Sequence, residues 1–153
     1  MIDIDKLEPG AELDLLVGTK VMGCTVKPGR HKPHCFDLVI PGGVNSVDWV
    51  EEAGAWSGMP KYSTEIVAAW AVFRELSSLR TKKHYKPAPR LQFYEHDGIA
   101  IVEVPFVKFS YNSGEDGVGS QVNADALPDP YRHNMDVATC LAICRAAIKA
   151  VSQ

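Results

Sequence analysis

Four residues able to ligate a metal, Cys24, His31, His34 and Cys35, fall within twelve consecutive positions. Zinc takes four nitrogen or sulfur donors in a tetrahedron, and these are suitable types. The spacing is poor, because structural sites oppose two closely spaced pairs, whereas adjacent His34 and Cys35 would have to bend back onto one ion. A zinc-dependent enzyme built on these four residues is therefore only the second alternative, and no metal or other cofactor is expected. Cys140 and Cys144 stand one helical turn apart, but CxxxC is not the CxxC redox spacing, and the thiol of Cys144 falls in an apolar stripe, so the core is their expected place. The run Ser113 to Ser120 is rich in glycine. It has acids, no lysine and no following helix, unlike a phosphate loop, and reads as a plain loop. Neither a Gly-x-Ser-x-Gly elbow nor an HExxH stretch occurs, and adjacent Glu51 and Glu52 show no sign of convergence. The chain is not expected to be an enzyme.

Binding is better supported. Trp49, Trp56 and Tyr62 lie in or beside the segment leading to a predicted helix, and Lys61, Tyr62 and Ser63 stand at its N-terminus, where free N–H groups attract anions. Tyr131, Arg132 and His133 precede another predicted helix in the same way. An aromatic face, a cation and a helix N-terminus together can hold a nucleotide or another phosphorylated ligand. Trp56, Lys61, Tyr62, Ser63, Tyr131, Arg132 and His133 are the candidate ligand-binding residues. The competing reading makes the tryptophans caps of the core and Tyr62 an anchor of its loop.

Helices are predicted at 11–22, with Leu13, Leu16, Val17 and Val21 on one face and Gly23 as its stop, and at 64–79, with Ser63 as N-cap and a stripe of Ile66, Ala69, Trp70, Phe73 and Leu76. A third is predicted at 135–151, on the stripe Val137, Leu141, Cys144, Ile148 and Val151. Between them, 90–96 and 99–104 flank Asp97-Gly98, a two-residue turn signal that would pair Phe93 with Val102 and Leu91 with Val104. Residues 36–40 read as a strand, and Val107, Phe109 and Tyr111 alternate as a further one after Pro105. The stretches 41–60 and 112–131 read as loop insertions. This order predicts an α/β (α+β) domain over 1–153, three helices packed around a small, mainly antiparallel sheet.

The chain has 153 residues and a formal charge of −3, with 16 Lys and Arg against 19 Asp and Glu. That balance gives no general attraction to phosphate backbones, so nucleic acid is not an expected partner. The basic stretch Arg74, Arg80, Lys82, Lys83, His84, Lys86 and Arg90 reads as a solvated helix end and loop. No apolar run approaches the ~20 residues that cross a bilayer, and the opening residues lack a signal-peptide pattern. A cytoplasmic, reducing setting with free thiols is expected.

Three blocks resemble the phage ABA sandwich domain family. They are Glu12-Leu13-Asp14-Leu15-Leu16-Val17 with Lys20-Val21-Met22-Gly23, then Pro60-Lys61-Tyr62-Ser63-Thr64-Glu65-Ile66 with Ala68-Ala69-Trp70, and Leu141-Ala142-Ile143-Cys144-Arg145-Ala146-Ala147 with Lys149-Ala150-Val151. The resemblance implies a three-layer α/β/α sandwich in a phage accessory protein working in the host bacterial cytoplasm. It implies no established activity, so no functional residue carries over. Cys24 departs from the family's usual Trp. The expectation is a non-enzymatic binding protein that sequesters a nucleotide immune signal, with a small phosphorylated ligand or a host protein as partner and a homo-oligomer as one form it can take. The alternative is an interaction module that inhibits a host protein or aids phage assembly.

Overall fold

In a computed structural model the protein is described over residues 2–28, 35–40, 43–50, 55–78, 86–87, 89–107 and 116–152. Among these residues three α-helices, α1 (Ala11–Lys20), α2 (Ile66–Leu76) and α3 (Met135–Val151), accompany eight strands in two antiparallel sheets. The first sheet orders β1 (Thr25–Pro28), β2 (Cys35–Ile40), β3 (Gly43–Val50) and β4 (Ala55–Ser57) as a meander. In the second, β7 (Ile99–Val107) is central. It pairs with β5 (Lys86–Pro87), β6 (Arg90–Tyr94) and β8 (Asp116–Asn123). The expected α+β class is therefore what the structure has, with the strands divided between two sheets. No helix among the described residues is long and apolar enough to cross a membrane.

The core is organised around α3. It packs on β7 and β8 on one side and on α1 and α2 on the other. Alanines at 138, 142, 146, 147 and 150 are all buried, together with Leu141, Ile143, Cys140, Cys144 and Ile148. The predicted stripe is real but too narrow: α3 is buried on almost every side, because alanines read as neutral in a periodicity yet let neighbouring backbones come close. α1 lies between two cores. Leu13 and Val17 enter the main cluster, whereas Leu15 packs with Cys24, Leu38, Val47 and Met59 under the first sheet. It ends as expected, with Gly23 at φ 70° and Cys24 N–H bonded to the Gly18 carbonyl.

Several expectations need correction. Residues 41–60 and 112–131 are not simply loops: they contain β3, β4 and β8. Gly43, Gly117 and Gly119 sit in strands opposite Ile40, Pro105 and Glu103, whereas Gly58, at φ 84°, does mark a turn, so glycine content alone does not separate strand from loop here. Residues 113–115, Phe109 and Tyr111 lie outside the described set, and β7 runs on through Pro105 to Val107. The hairpin between β6 and β7 pairs Phe93 with Ala100 and Leu91 with Val102, two positions from the expected register. The turn takes four residues, a 3₁₀ turn at Glu95–Asp97 and then Gly98 at φ 65°. A slip of two preserves facing, so Leu91, Phe93, Ala100, Val102 and Val104 still share one side. Gln92, Tyr94 and Glu103, on the other side, are exposed. In α2 the buried positions are Ala69, Val72 and Leu76, while Trp70 stands at the margin with its ring edge-on to Phe73, 5.4 Å between centroids.

Two glycines give opposite predictions. A methyl group at Gly18, inside α1, would meet Tyr62 at 3.7 Å and Cys24 and Met59 at 3.9 Å, ordinary contact distances. Gly18→Ala should therefore stabilise by about 0.5–1 kcal/mol through helix propensity. At Gly119 the added carbon would lie 3.0 Å from the Val102 carbonyl oxygen, a backbone atom with little room to yield. Gly119→Ala should destabilise by about 1–3 kcal/mol. Urea denaturation of both variants checks the two signs.

Candidate functional site

The predicted ligand-binding residues do not form one surface. Tyr62 and Ser63 are buried, Tyr131 packs partly against the core, and the side chain of Trp56, in β4, is outside the described set. The three exposed basic side chains are each turned to a nearby acid: Lys61 to Glu65 at 3.9 Å, Arg132 to Asp129 at 3.9 Å, and His133 to Asp125, Nδ1 to Oδ1, at 2.7 Å. His133 holds a left-handed backbone, φ 66°, and donates its N–H to the Ala124 carbonyl. Arg132 and His133 border an open hollow of about 470 Å³, but Asp136 lies there too, and the Asn134 carboxamide already accepts from Val137 N–H at 3.2 Å. The end of α3 is thus capped from within and faces an acid.

Ser63 is not the N-cap of α2, which begins after Glu65. Its hydroxyl accepts from Gly10 N–H at 2.9 Å, and its own N–H donates to Asp14 Oδ1 at 2.7 Å. This pair fastens the approach to α2 onto the first turn of α1. Around it the structure gathers reactive residue types. Burial lifts the Asp14 carboxyl from its ordinary 3.8 to about 6, against the bonds from Ser63 that lower it. Burial likewise pushes the Tyr62 hydroxyl up to about 12, reinforced by its contact with the Cys24 thiol. Cys24 and Cys144 are raised by burial, and Cys140 is pushed up to about 12, with Asp136 adding to the burial effect. All three cysteines are free and buried, which keeps them protonated thiols closed to solvent. Of the weak zinc set, Cys24 sits in this apolar surround, and His31 and His34 lie outside the described residues. Among the described residues no group of three or more His, Cys, Asp or Glu is placed to hold a metal.

Sequence reasoning missed a cavity of about 600 Å³ between the N-terminal segment, β8 and α3. Lys6, Glu8 and Pro9 form one wall, Gln121 and Asn123 of β8 another, and Leu127 and Pro128 a third, with Arg145 of α3 at its side. Arg145 is partly buried, and its Nε and Nη2 both donate to the Leu7 carbonyl, Nε at 3.0 Å. Burial lowers its pKa, while Asp5, Asp3 and Glu8 act in the opposite sense. None of these acids is within ion-pair distance of the guanidinium; among the described residues it has only that neutral carbonyl. One turn later, Lys149 Nζ reaches Asp5 Oδ1 at 2.6 Å and the Gly119 carbonyl at 2.9 Å. A signal for this site was present: Arg145 and Lys149 are the cations of an otherwise apolar helix, and a charge there needs a partner.

Asp14 generates a pH prediction. Its folded pKa is above its unfolded value, so the unfolded chain ionises first as pH rises from about 4 to 6. Stability from this group is full below pH 4, falls across that window and stays low above it. At about 1.4 kcal/mol per unit the fall is about 3 kcal/mol. Asp14→Asn keeps an acceptor for Ser63 N–H, and should shrink the stability difference between pH 4 and pH 7 by about that amount in chemical denaturation. An unchanged difference would mean that Asp14 ionises normally.

Comparison of the chain with protein families, with curated proteins and with solved structures finds no match.

Proposed function

We propose that the protein is a binding protein whose ligand site is the cavity beside Arg145, where the guanidinium receives an anionic oxygen of the ligand. The observation that supports this is the state of Arg145: a partly buried cation lining a 600 Å³ space, with a backbone carbonyl and, among the described residues, no carboxylate as its partner. A buried charge left without a counter-charge is costly, and a carboxylate or phosphate would remove that cost with two parallel N–H···O bonds. The volume lies within the usual range for ligand sites, ~300–1,000 Å³. The grouped thiols, hydroxyls and Asp14 offer no comparable opening, because their neighbours exclude a substrate.

The resemblance to phage accessory proteins supplies the proposed setting, the cytoplasm of an infected bacterium. A phosphorylated nucleotide signal and a carboxylate of a host protein are both anion-bearing ligands of the kind Arg145 would accept. Thermal shift and calorimetry with cyclic nucleotides, ADP-ribose and inorganic phosphate test the reading. Binding should weaken at least tenfold in Arg145→Lys, which keeps the charge and loses the fork. Lys6→Ser alters only an exposed residue, paired with Asp3 at 3.2 Å, so it tests the same wall without threatening the fold. It should weaken binding a few-fold. Ligand binding indifferent to both substitutions would move the site elsewhere.

A further inference from the structure

We infer that the cavity receives an extended peptide segment ending in a free carboxylate, which adds as an antiparallel strand to the outer edge of β8 while Arg145 takes its terminus; this rests on the reading of the cavity as the binding site.

The argument begins with the alternation of backbone groups along β8. In an antiparallel pair each residue points both its N–H and its C=O to the same side, and neighbours alternate. Ala124 N–H donates to the Gly98 carbonyl at 2.7 Å, on the side of β7. Even-numbered residues of β8 therefore face β7. Independently, the Gly119 carbonyl accepts from Lys149, a residue outside the sheet. Odd-numbered residues therefore face outward, and the two observations agree. Gln121 and Asn123, exposed on one face, and Val122, buried on the other, all line the cavity, so it lies along the edge of the strand, the side to which the main-chain groups of the odd-numbered residues point.

The N-terminal segment does not satisfy them. Its backbone bonds are local, Lys6 N–H to the Asp3 carbonyl and Leu7 N–H to the Ile4 carbonyl. It is held to α3 by side chains instead, Leu7 by Arg145 and Asp5 by Lys149. The cavity is the gap between a strand edge that has no pairing partner among the described residues and this strap. An unpaired edge is a ready template for an added strand.

Charge sets the direction of the guest. Lys149 occupies the edge at Gly119 and blocks a strand from passing it. Arg145 precedes Lys149 by one helical turn, a rise of about 6 Å, close to the ~6.7 Å of two strand residues. A segment lying along Asn123 and Gln121 thus ends beside Arg145, and the chemistry that suits that end is a carboxylate. Glu8, on the opposite wall, disfavours a second negative charge, which a polyanion would carry and a peptide terminus would not.

The test uses the full ¹⁵N-labelled chain and three probes: random hexapeptides with free carboxyl termini, the same pool amidated, and inorganic phosphate. Main-chain pairing tolerates sequence, so a pool suffices. The expected result is that the Gln121 and Asn123 amides exchange at least tenfold more slowly with the free-carboxylate pool, and that the effect is mostly lost with the amidated one. Slowing by both pools alike would remove the role given to the terminus and overturn the proposal. So would peptide binding with both amides unchanged. Phosphate shifting the Arg145 side-chain signal while neither pool protects the amides would sink strand addition and leave the anion site standing. Silence from all three probes would remove both.

Discussion

A helix enclosed on nearly every side governs this fold. α3 stands between β7 and β8 and the other two helices, and its surface is largely alanine with a few larger apolar residues. Small side chains let three elements approach one axis closely, which raises the dispersion gain per residue and leaves little tolerance for added volume. Everything that touches the periphery of the molecule through α3 must therefore use the few positions that emerge. Arg145 and Lys149 are two of them, and both are spent on the N-terminal segment and the edge of β8.

The second organising contact is Ser63 with Asp14 and Gly10. It joins the start of α1 to the approach of α2 with Ser63 and Asp14 both buried, where polar atoms need hydrogen-bond partners. The carboxyl there is a fastener whose ionisation is opposed by its own burial. The same desolvation acts on Tyr62 and the three buried cysteines. Residue types that serve catalysis in an open cleft act here as packing and as hydrogen-bond closure. A space lies instead at the margin of the second sheet, between β8, the N-terminal segment and Arg145.

Facing positions were legible where pattern and geometry share a period. The three helices, the αL stop at Gly23 and the common face of Leu91, Phe93, Val102 and Val104 follow from spacings of three, four and two, which the local chain enforces. Misreadings arose where a partner outside the segment itself decides. β3, β4 and β8 become strands because β2, β3 and β7 respectively supply the matching ladders. Ser63 has the chemistry of an N-cap but was taken by Asp14, 49 positions away. The candidate site was the least legible part, since its walls come from the N-terminal segment, β8 and α3, and nothing local relates Leu7 to Arg145.

What the amino-acid order determined alone is the kind of element each periodic segment forms and the side it must hide, because backbone geometry and hydrophobicity act over a few residues. What only the tertiary structure decided is which polar groups become satisfied. Arg145 and Lys149 are alike in sequence terms, two cations one turn apart. Their difference, one facing a neutral carbonyl beside an open cavity and the other an acid and a strand edge, exists only because folding brings distant segments within hydrogen-bond reach.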